Sequence, residues 1–237
     1  MTAPLSNDEI SNIVTNTLFH PVFQPIIALA DNRVVGYEAL TRFDGGHSPD
    51  AVFGRVSSLE NLFALESATM RLAIAQARIL LKPSQFLSLN TSPPLLIGAT
   101  DALKEMFTQL DHTVVVELTE HVKIIDYEAI RRATRALGAD LRVAIDDVGS
   151  DYSNLKKIVE LHPHYLKLDI CLIHNIDRDP YRLALVKCLQ GFANSVGCKI
   201  IAEGVEADAE RAVLFEAGVE LGQGFLLGRP EPIGGSR

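Results

Sequence analysis

Four things are scarce in this 237-residue chain: cysteine, positive charge, long apolar runs and glycine-rich phosphate loops. The three cysteines, Cys171, Cys188 and Cys198, cannot all pair, and none stands in a Cys-x-x-Cys or Cys/His spacing that would suggest zinc. Buried free thiols in a reducing cytoplasm are the expectation. Lys and Arg number 22 against 30 Asp and Glu, a formal net charge of −8, which argues against broad affinity for DNA or an anionic membrane. A small phosphate ligand stays open, because a bound cation inverts the local field. No apolar stretch approaches the roughly 20 residues of a membrane helix. Met1 to Glu9 is polar and lacks the basic and apolar regions of a secretory signal. No Gly-x-Gly-x-x-Gly or P-loop is found, which weakens dinucleotide-cofactor and nucleoside-triphosphate readings.

What is there is an alternation. Seven apolar, strand-like runs each close on an acidic or amide side chain: Val34 to Glu38, Phe86 to Asn90, Thr113 to Glu117, Val143 to Asp147, Tyr165 to Asp169, Ile200 to Glu203 and Val219 to Gln223. Helical patterns separate them. From Leu59 onward Leu62, Phe63, Met70, Ala73, Ala77 and Leu80 keep helical spacing. Asp126 can cap a helix that Gly138 ends, and Asp179-Pro180 opens another whose stripe Tyr181, Leu185, Leu189, Phe192 and Val196 stops at Gly197. A last helix spans about Glu206 to Ala217. Strands alternating with helices predict an α/β fold with a mostly parallel sheet. Val22 to Leu29 and Val34 to Phe43 flank the polar turn Asp31-Asn32-Arg33, a hairpin signal that sets one early strand antiparallel. The expectation is a TIM-like (β/α)8 barrel with one reversed strand, a single domain over residues 1–237 with its core at about 18–232.

If such strands close into a barrel, their terminal carboxylates and amides converge at its C-terminal mouth. Such oxygens suit hard divalent ions such as Mg²⁺ or Mn²⁺. Asp146-Asp147 carries a further condition. Neighbours on a regular strand point to opposite faces, so both reach one site only where the strand gives way to a loop. There they can serve two cations, roughly 3.5–4 Å apart, that activate water and stabilise a leaving oxygen of a phosphodiester. Lys167 shares the face of Asp169 and could orient water or neutralise a phosphoryl oxygen.

Glu38-Ala39-Leu40 followed by Thr41-Arg42 resembles the signature of the EAL-domain family, the cyclic-di-GMP phosphodiesterases. Asn90-Thr91-Ser92, Glu117-Leu118-Thr119-Glu120, Asp146-Asp147, Lys167-Leu168-Asp169, Glu203-Gly204-Val205-Glu206 and Gln223-Gly224-Phe225 continue the resemblance, from about Phe23 to Pro230. It implies hydrolysis of one phosphodiester of cyclic-di-GMP to linear pGpG, with Mg²⁺ or Mn²⁺ as cofactors. Calcium is expected to permit binding while opposing hydrolysis. Glu38, Asn90, Glu117 and Asp146 match ligands of one metal; Asp146, Asp147 and Glu203 match those of a second. Lys167 and Asp169 match residues that position the attacking water, and Gln223 an amide beside it. Gln24, Leu40 and Arg42 match substrate-holding positions, and Glu206 a supporting acid near them. Glu120 matches the residue that ties down the loop after the paired aspartates. The resemblance also implies a homodimer and an attached sensory domain or partner protein.

One stretch departs from the family pattern. Val148-Gly149-Ser150-Asp151 stands where Phe-Gly-Thr-Gly is usual, and aspartate for the second glycine is costly if that backbone needs positive φ. The alternative reading is therefore a weak or inactive EAL domain that binds cyclic-di-GMP, or a protein, as a sensor. Leu65-Glu66, where Leu-Asp is common, concerns scaffold more than chemistry. Taken singly, the site residues have plainer readings: Asn90 as a loop tether, Glu117 and Glu120 as helix-terminal acids, Lys167 with Asp169 as a salt bridge, Glu203 and Glu206 as caps. Their joint placement at one end of successive strands favours the site. His112, His121, His162 and His164 read as loop residues, and Arg131, Arg132 and Arg135 as a solvated helix face.

Overall fold

The computed structural model describes residues 4–119, 124–150 and 154–233. Eight strands close into a barrel in sequence order: β1 Phe19–Ala28, β2 Val34–Phe43, β3 Phe86–Thr91, β4 Val114–Leu118, β5 Leu141–Val148, β6 Tyr165–Leu168, β7 Lys199–Ala202 and β8 Leu221–Gly222. Among the described residues ten helices accompany them: α1 Asn7–Thr15, α2 Pro49–Phe53, α3 Leu59–Leu80, α4 Pro93–Gly98, α5 Thr100–Phe107, α6 Tyr127–Leu137, α7 Asn154–Leu161, α8 Ile170–Ile173, α9 Pro180–Val196 and α10 Asp208–Glu216. The reversed strand is β1. It pairs antiparallel with β2 and with β8, while every pairing from β2 round to β8 is parallel.

The side-chain period of two divides each strand between two cores. Leu87, Leu89, Val114, Val116, Val143, Ile145, Leu166, Leu168 and Ile200 face outward into the main cluster under the helices. Ile26, Phe86, Val115, Ala144, Ile201 and Leu221 face inward and plug the barrel floor, with Tyr165 stacked at 5.5 Å on Phe86. Gly36 makes room for this plug, since a Cβ there would sit 2.7 Å from the Phe86 ring. β1 and β2 run on past the barrel, where Phe19, Phe43 and Val52 join Leu5, Ile10 and Leu65 in a smaller cluster under α1 to α3. Glu38 consequently lies mid-strand, with β2 continuing to Phe43 beyond it.

The helix ends follow the sequence signals. Asp126 Oδ1 accepts the Ala129 amide, Asp179 Oδ1 accepts those of Tyr181 and Arg182, and Gly197 closes α9 in the left-handed region at φ 71°. The apolar stripe on α9 is mostly exposed: Tyr181 is 86 % exposed, and Leu185, Phe192 and Val196 are exposed with it, while Leu189 packs against the main core. Val186, Gln190 and Ala193 form the buried face instead. One expectation is corrected: of the three thiols only Cys198 is buried, while Cys171 and Cys188 are exposed.

Candidate functional site at the barrel mouth

Two residues further up β4, β5 and β6, the inward positions change from apolar to charged or titratable. β2, β4, β5 and β6 supply Glu38, Glu117, Asp146 and Lys167, and the residue following β7 is Glu203. Lys167 is 1 % exposed, and its ammonium stands at the centre of the group. Its Nζ lies 2.7 Å from Glu117 Oε2, 2.9 Å from Glu203 Oε1, 3.1 Å from Asp146 Oδ1 and 3.3 Å from Glu38 Oε2. Asn90 Nδ2 donates to Glu38 Oε1 at 3.1 Å. Gln223 Nε2 donates to Glu38 Oε2 at 2.8 Å and to Gln24 Oε1 at 3.0 Å. Gln24 is placed by the antiparallel register, which sets it opposite Glu38.

Both members of the aspartate pair face the mouth, and the backbone shows how. The β5–β6 register shifts between Ile145 and Val148, and Asp147 adopts φ +55°. Such a bulge lets consecutive side chains share one side of the strand, and aspartate tolerates the left-handed region better than most residues. Carboxylate oxygens of Asp146, Asp147 and Glu203 all lie within 4.8 Å of one another. The Asp147 carbonyl accepts from Ser150 Oγ at 2.8 Å and from Asn154 Nδ2 at 2.8 Å. Val148, in place of the usual phenylalanine, is buried in the main core.

Four carboxylates share one ammonium, so negative charge is in excess. Burial would lower the Lys167 pKa, but Asp146, Glu117, Glu203 and Glu38 together hold it well above its ordinary value, and the group stays charged. Burial drives the Glu117 carboxyl well above the usual carboxylate range, reinforced by Glu38 and opposed by Lys167. Burial likewise pushes Glu203 up to about 8 against the pull of Lys167. For Glu38 burial acts upward too, but Lys167, Gln223 and Asn90 outweigh it and the carboxyl lies below its ordinary value. At the mouth two buried oxygens lack an aligned hydrogen-bond donor: Asp146 Oδ1, despite the nearby ammonium, and Gln223 Oε1.

The other expected residues divide into three groups. Leu40 lines a cavity of about 390 Å³ that opens beside Glu38, Asn90 and Asp146. Arg42, Asp169 and Glu206 stand apart from the ammonium cluster. Arg42 donates to the Thr41 carbonyl, Asp169 Oδ1 accepts the Cys171 amide at the start of α8, and Glu206 is exposed with its amide on Glu210. Glu120 and Asp151 lie outside the described residues. The cap of α10 falls to Glu210, which accepts the Glu206 and Ala207 amides, so Glu203 is released to the mouth. Sequence reasoning missed Ser88, which is 1 % exposed and whose hydroxyl donates to Glu117 Oε1. Its signal was present: it lies two residues before Asn90, on the inward face of an otherwise apolar strand. Cavities of about 390 and 550 Å³ also open at the floor end, near His112 and Lys199, but no carboxylate cluster converges there among the described residues.

Residues 7–230 match the EAL domain family model, and the chain belongs to that family. It is 28 % identical over 231 residues to the cyclic di-GMP phosphodiesterase RocR of Pseudomonas aeruginosa, covering 92 % of this chain and 58 % of that protein. The manganese/cyclic-di-GMP complex of Klebsiella pneumoniae BlrP1 superposes with a TM-score of 0.80 at 28 % identity, over 90 % of this chain and 56 % of that one. A standalone versatile EAL protein of Vibrio cholerae, in its c-di-GMP-bound form, gives 0.77 at 31 % identity, over 90 % and 92 %. The chain spans from 27 % to 58 % of the length of three curated relatives.

Proposed function

We propose that this chain is a metal-dependent phosphodiesterase that hydrolyses one phosphodiester of cyclic-di-GMP to linear pGpG. The observation that carries the reading is the convergence of Glu38, Glu117, Asp146 and Glu203 on one point, with Asp147 beside them. The donor set fits hard divalent cations: it is all oxygen, it is over-supplied with negative charge, and Asp146 Oδ1 and Gln223 Oε1 are short of partners. Glu38, Asn90, Glu117 and Asp146 would hold one Mg²⁺ or Mn²⁺, and Asp146, Asp147 and Glu203 a second. When bound, such a pair lowers the pKa of water and stabilises charge on the leaving oxygen.

The chain's own groups do the rest. Lys167 brings positive charge against the phosphoryl oxygens and, with Asp169, orients the attacking water. Gln223 fixes the Glu38 carboxylate through its amide, and Gln24 fixes Gln223. Leu40, Arg42 and Gln24 hold the cyclic dinucleotide along the cavity, with Glu206 supporting them, and Glu120 anchors the loop after Asp147. Water oxygen bonds to phosphorus as the P–O3′ bond breaks, leaving a 5′-phosphate and a free 3′-hydroxyl. Incubation with cyclic-di-GMP and Mn²⁺, with pGpG followed by chromatography, tests the activity. Product is expected with native protein and none with Glu38→Ala; binding without turnover in the native protein would leave a sensor instead. With Ca²⁺ the ligand should bind while hydrolysis falls away.

The core at about residues 18–232 acts as one domain in this reading. Unpaired thiols favour a cytoplasmic location, and no helix among the described residues is long and apolar enough to cross a membrane. A homodimer is supported by the apolar outer faces of helices α7 and α9, with Leu155, Val159, Tyr181 and Leu185 exposed. Leu185→Asp should yield monomers in light scattering; an unchanged mass would remove α9 from the interface. The greater length of the curated relatives supports a sensory domain or partner as the source of input.

A further inference from the structure

Asn90 has an exposed side chain, so little besides Glu38 packs against it to fix its direction. Its aim must come from the backbone that carries it. That backbone is held at an unusual place. Two residues on, Ser92 is 1 % exposed, and both of its donors go to a single carboxylate on α3. Glu66 Oε1 accepts the Ser92 amide at 3.1 Å, and Glu66 Oε2 accepts the Ser92 hydroxyl at 2.7 Å. The Ser92 oxygen then accepts the Leu95 amide at 3.3 Å and caps α4. From the other side, the Thr91 carbonyl accepts the Thr119 amide at 3.2 Å, tying the end of β3 to the end of β4.

Glu66 is 8 % exposed, and its α3 neighbours toward the core include Leu65, Met70 and Ala73. An apolar side chain would serve that packing better, because a buried carboxyl is costly unless its hydrogen bonds are made. Both of its oxygens are spent on one residue at the rim of the metal site. Glu66 also lines the cavity into which Glu38, Asn90 and Asp146 open. We propose that Glu66 is a positioning residue: by clamping the β3–α4 turn at Ser92 it sets the direction in which Asn90 faces the metal-binding carboxylates. This rests on the metal reading above, and it goes beyond a scaffold role because it ties α3 to metal affinity.

The test is direct Mn²⁺ binding to the purified chain without substrate, read from the loss of the free-ion EPR signal. Glu66→Gln keeps the shape but presents an amide N–H₂ to one of the two Ser92 donors; Glu66→Ala removes the clamp. Both are expected to weaken Mn²⁺ binding by about 10–100-fold, as loss of support behind a metal ligand does. Glu66→Asp should recover part of it. Ile74→Ala, a buried α3 change away from the cavity, controls for loss of stability alone: it should lower the melting temperature with Mn²⁺ affinity unchanged. Native affinity in Glu66→Gln would overturn the proposal, as would an equal weakening in Ile74→Ala. Native protein that takes up no Mn²⁺ would instead bring down the metal reading, and this inference with it.

Discussion

The barrel's floor and its mouth are built from the same strands, two residues apart, and obey opposite rules. Val115 and Glu117 on β4, Ala144 and Asp146 on β5, and Tyr165 and Lys167 on β6 all face inward. The lower member of each pair packs an apolar or aromatic plug. The upper member is a titratable group set among other titratable groups. The floor gains free energy from burial, whereas the mouth gathers like charges around one ammonium, an arrangement that costs stability unless a cation relieves it. Stability and chemistry are thus separated along the barrel axis by one step of the strand period.

Four measurements would break or sharpen that contrast. Lys167→Met should have the largest effect, since it leaves four carboxylates without their shared cation. A loss of about 3–5 kcal/mol in denaturant unfolding is expected, and Mn²⁺ should return more stability to this variant than to native protein. A variant as stable as native would deny the ammonium its structural part. At the floor, Ile201→Ala should cost about 2–5 kcal/mol through the cavity it leaves, with Mn²⁺ affinity unaffected; a coupled loss of affinity would show the two ends to be one unit.

The third concerns pH. Burial raises the Glu66 carboxyl from its ordinary 4.5 to about 7, against the pull of its hydrogen bonds from Ser92. The native state therefore keeps this proton where the unfolded chain has lost it. That contribution is complete below about pH 4.5 and is lost as pH rises through about 7, on the order of 2–3 kcal/mol in all. The stability difference between native protein and Glu66→Gln should follow this window; a flat difference from pH 5 to 8 would contradict it. Smallest is Ser88→Ala, which removes the hydroxyl donated to Glu117. About 1.5 kcal/mol is expected from thermal unfolding, and a neutral result would mean that Glu117 is held by Lys167 alone.

Much of this was legible beforehand, for a definable reason. Apolar runs that each close on an acidic or amide residue marked the strand ends, which placed Glu117 and Asp146 at the mouth, and the period of two put Lys167 on the face of Asp169. Adjacent aspartates implied a break in the strand, and the register shift after Ile145 supplies it. The hairpin turn gave the reversed strand. Ser88 went unnoticed because a lone hydroxyl in an apolar strand carries no signal of its partner. The α9 stripe located the helix but not its buried face, because apolar periodicity identifies a helical face without saying what covers it.

The sequence by itself determined the strand and helix order, the polar residue at each strand end and, through its motifs, the family. Only the tertiary structure decided that Gln24 meets Gln223, that Glu66 holds Ser92, and that Lys167 stands among Glu38, Glu117, Asp146 and Glu203. Local patterns fix the direction of a side chain relative to its own backbone. Which distant group it meets depends on barrel closure and strand register, and these are set by the packing of the whole chain.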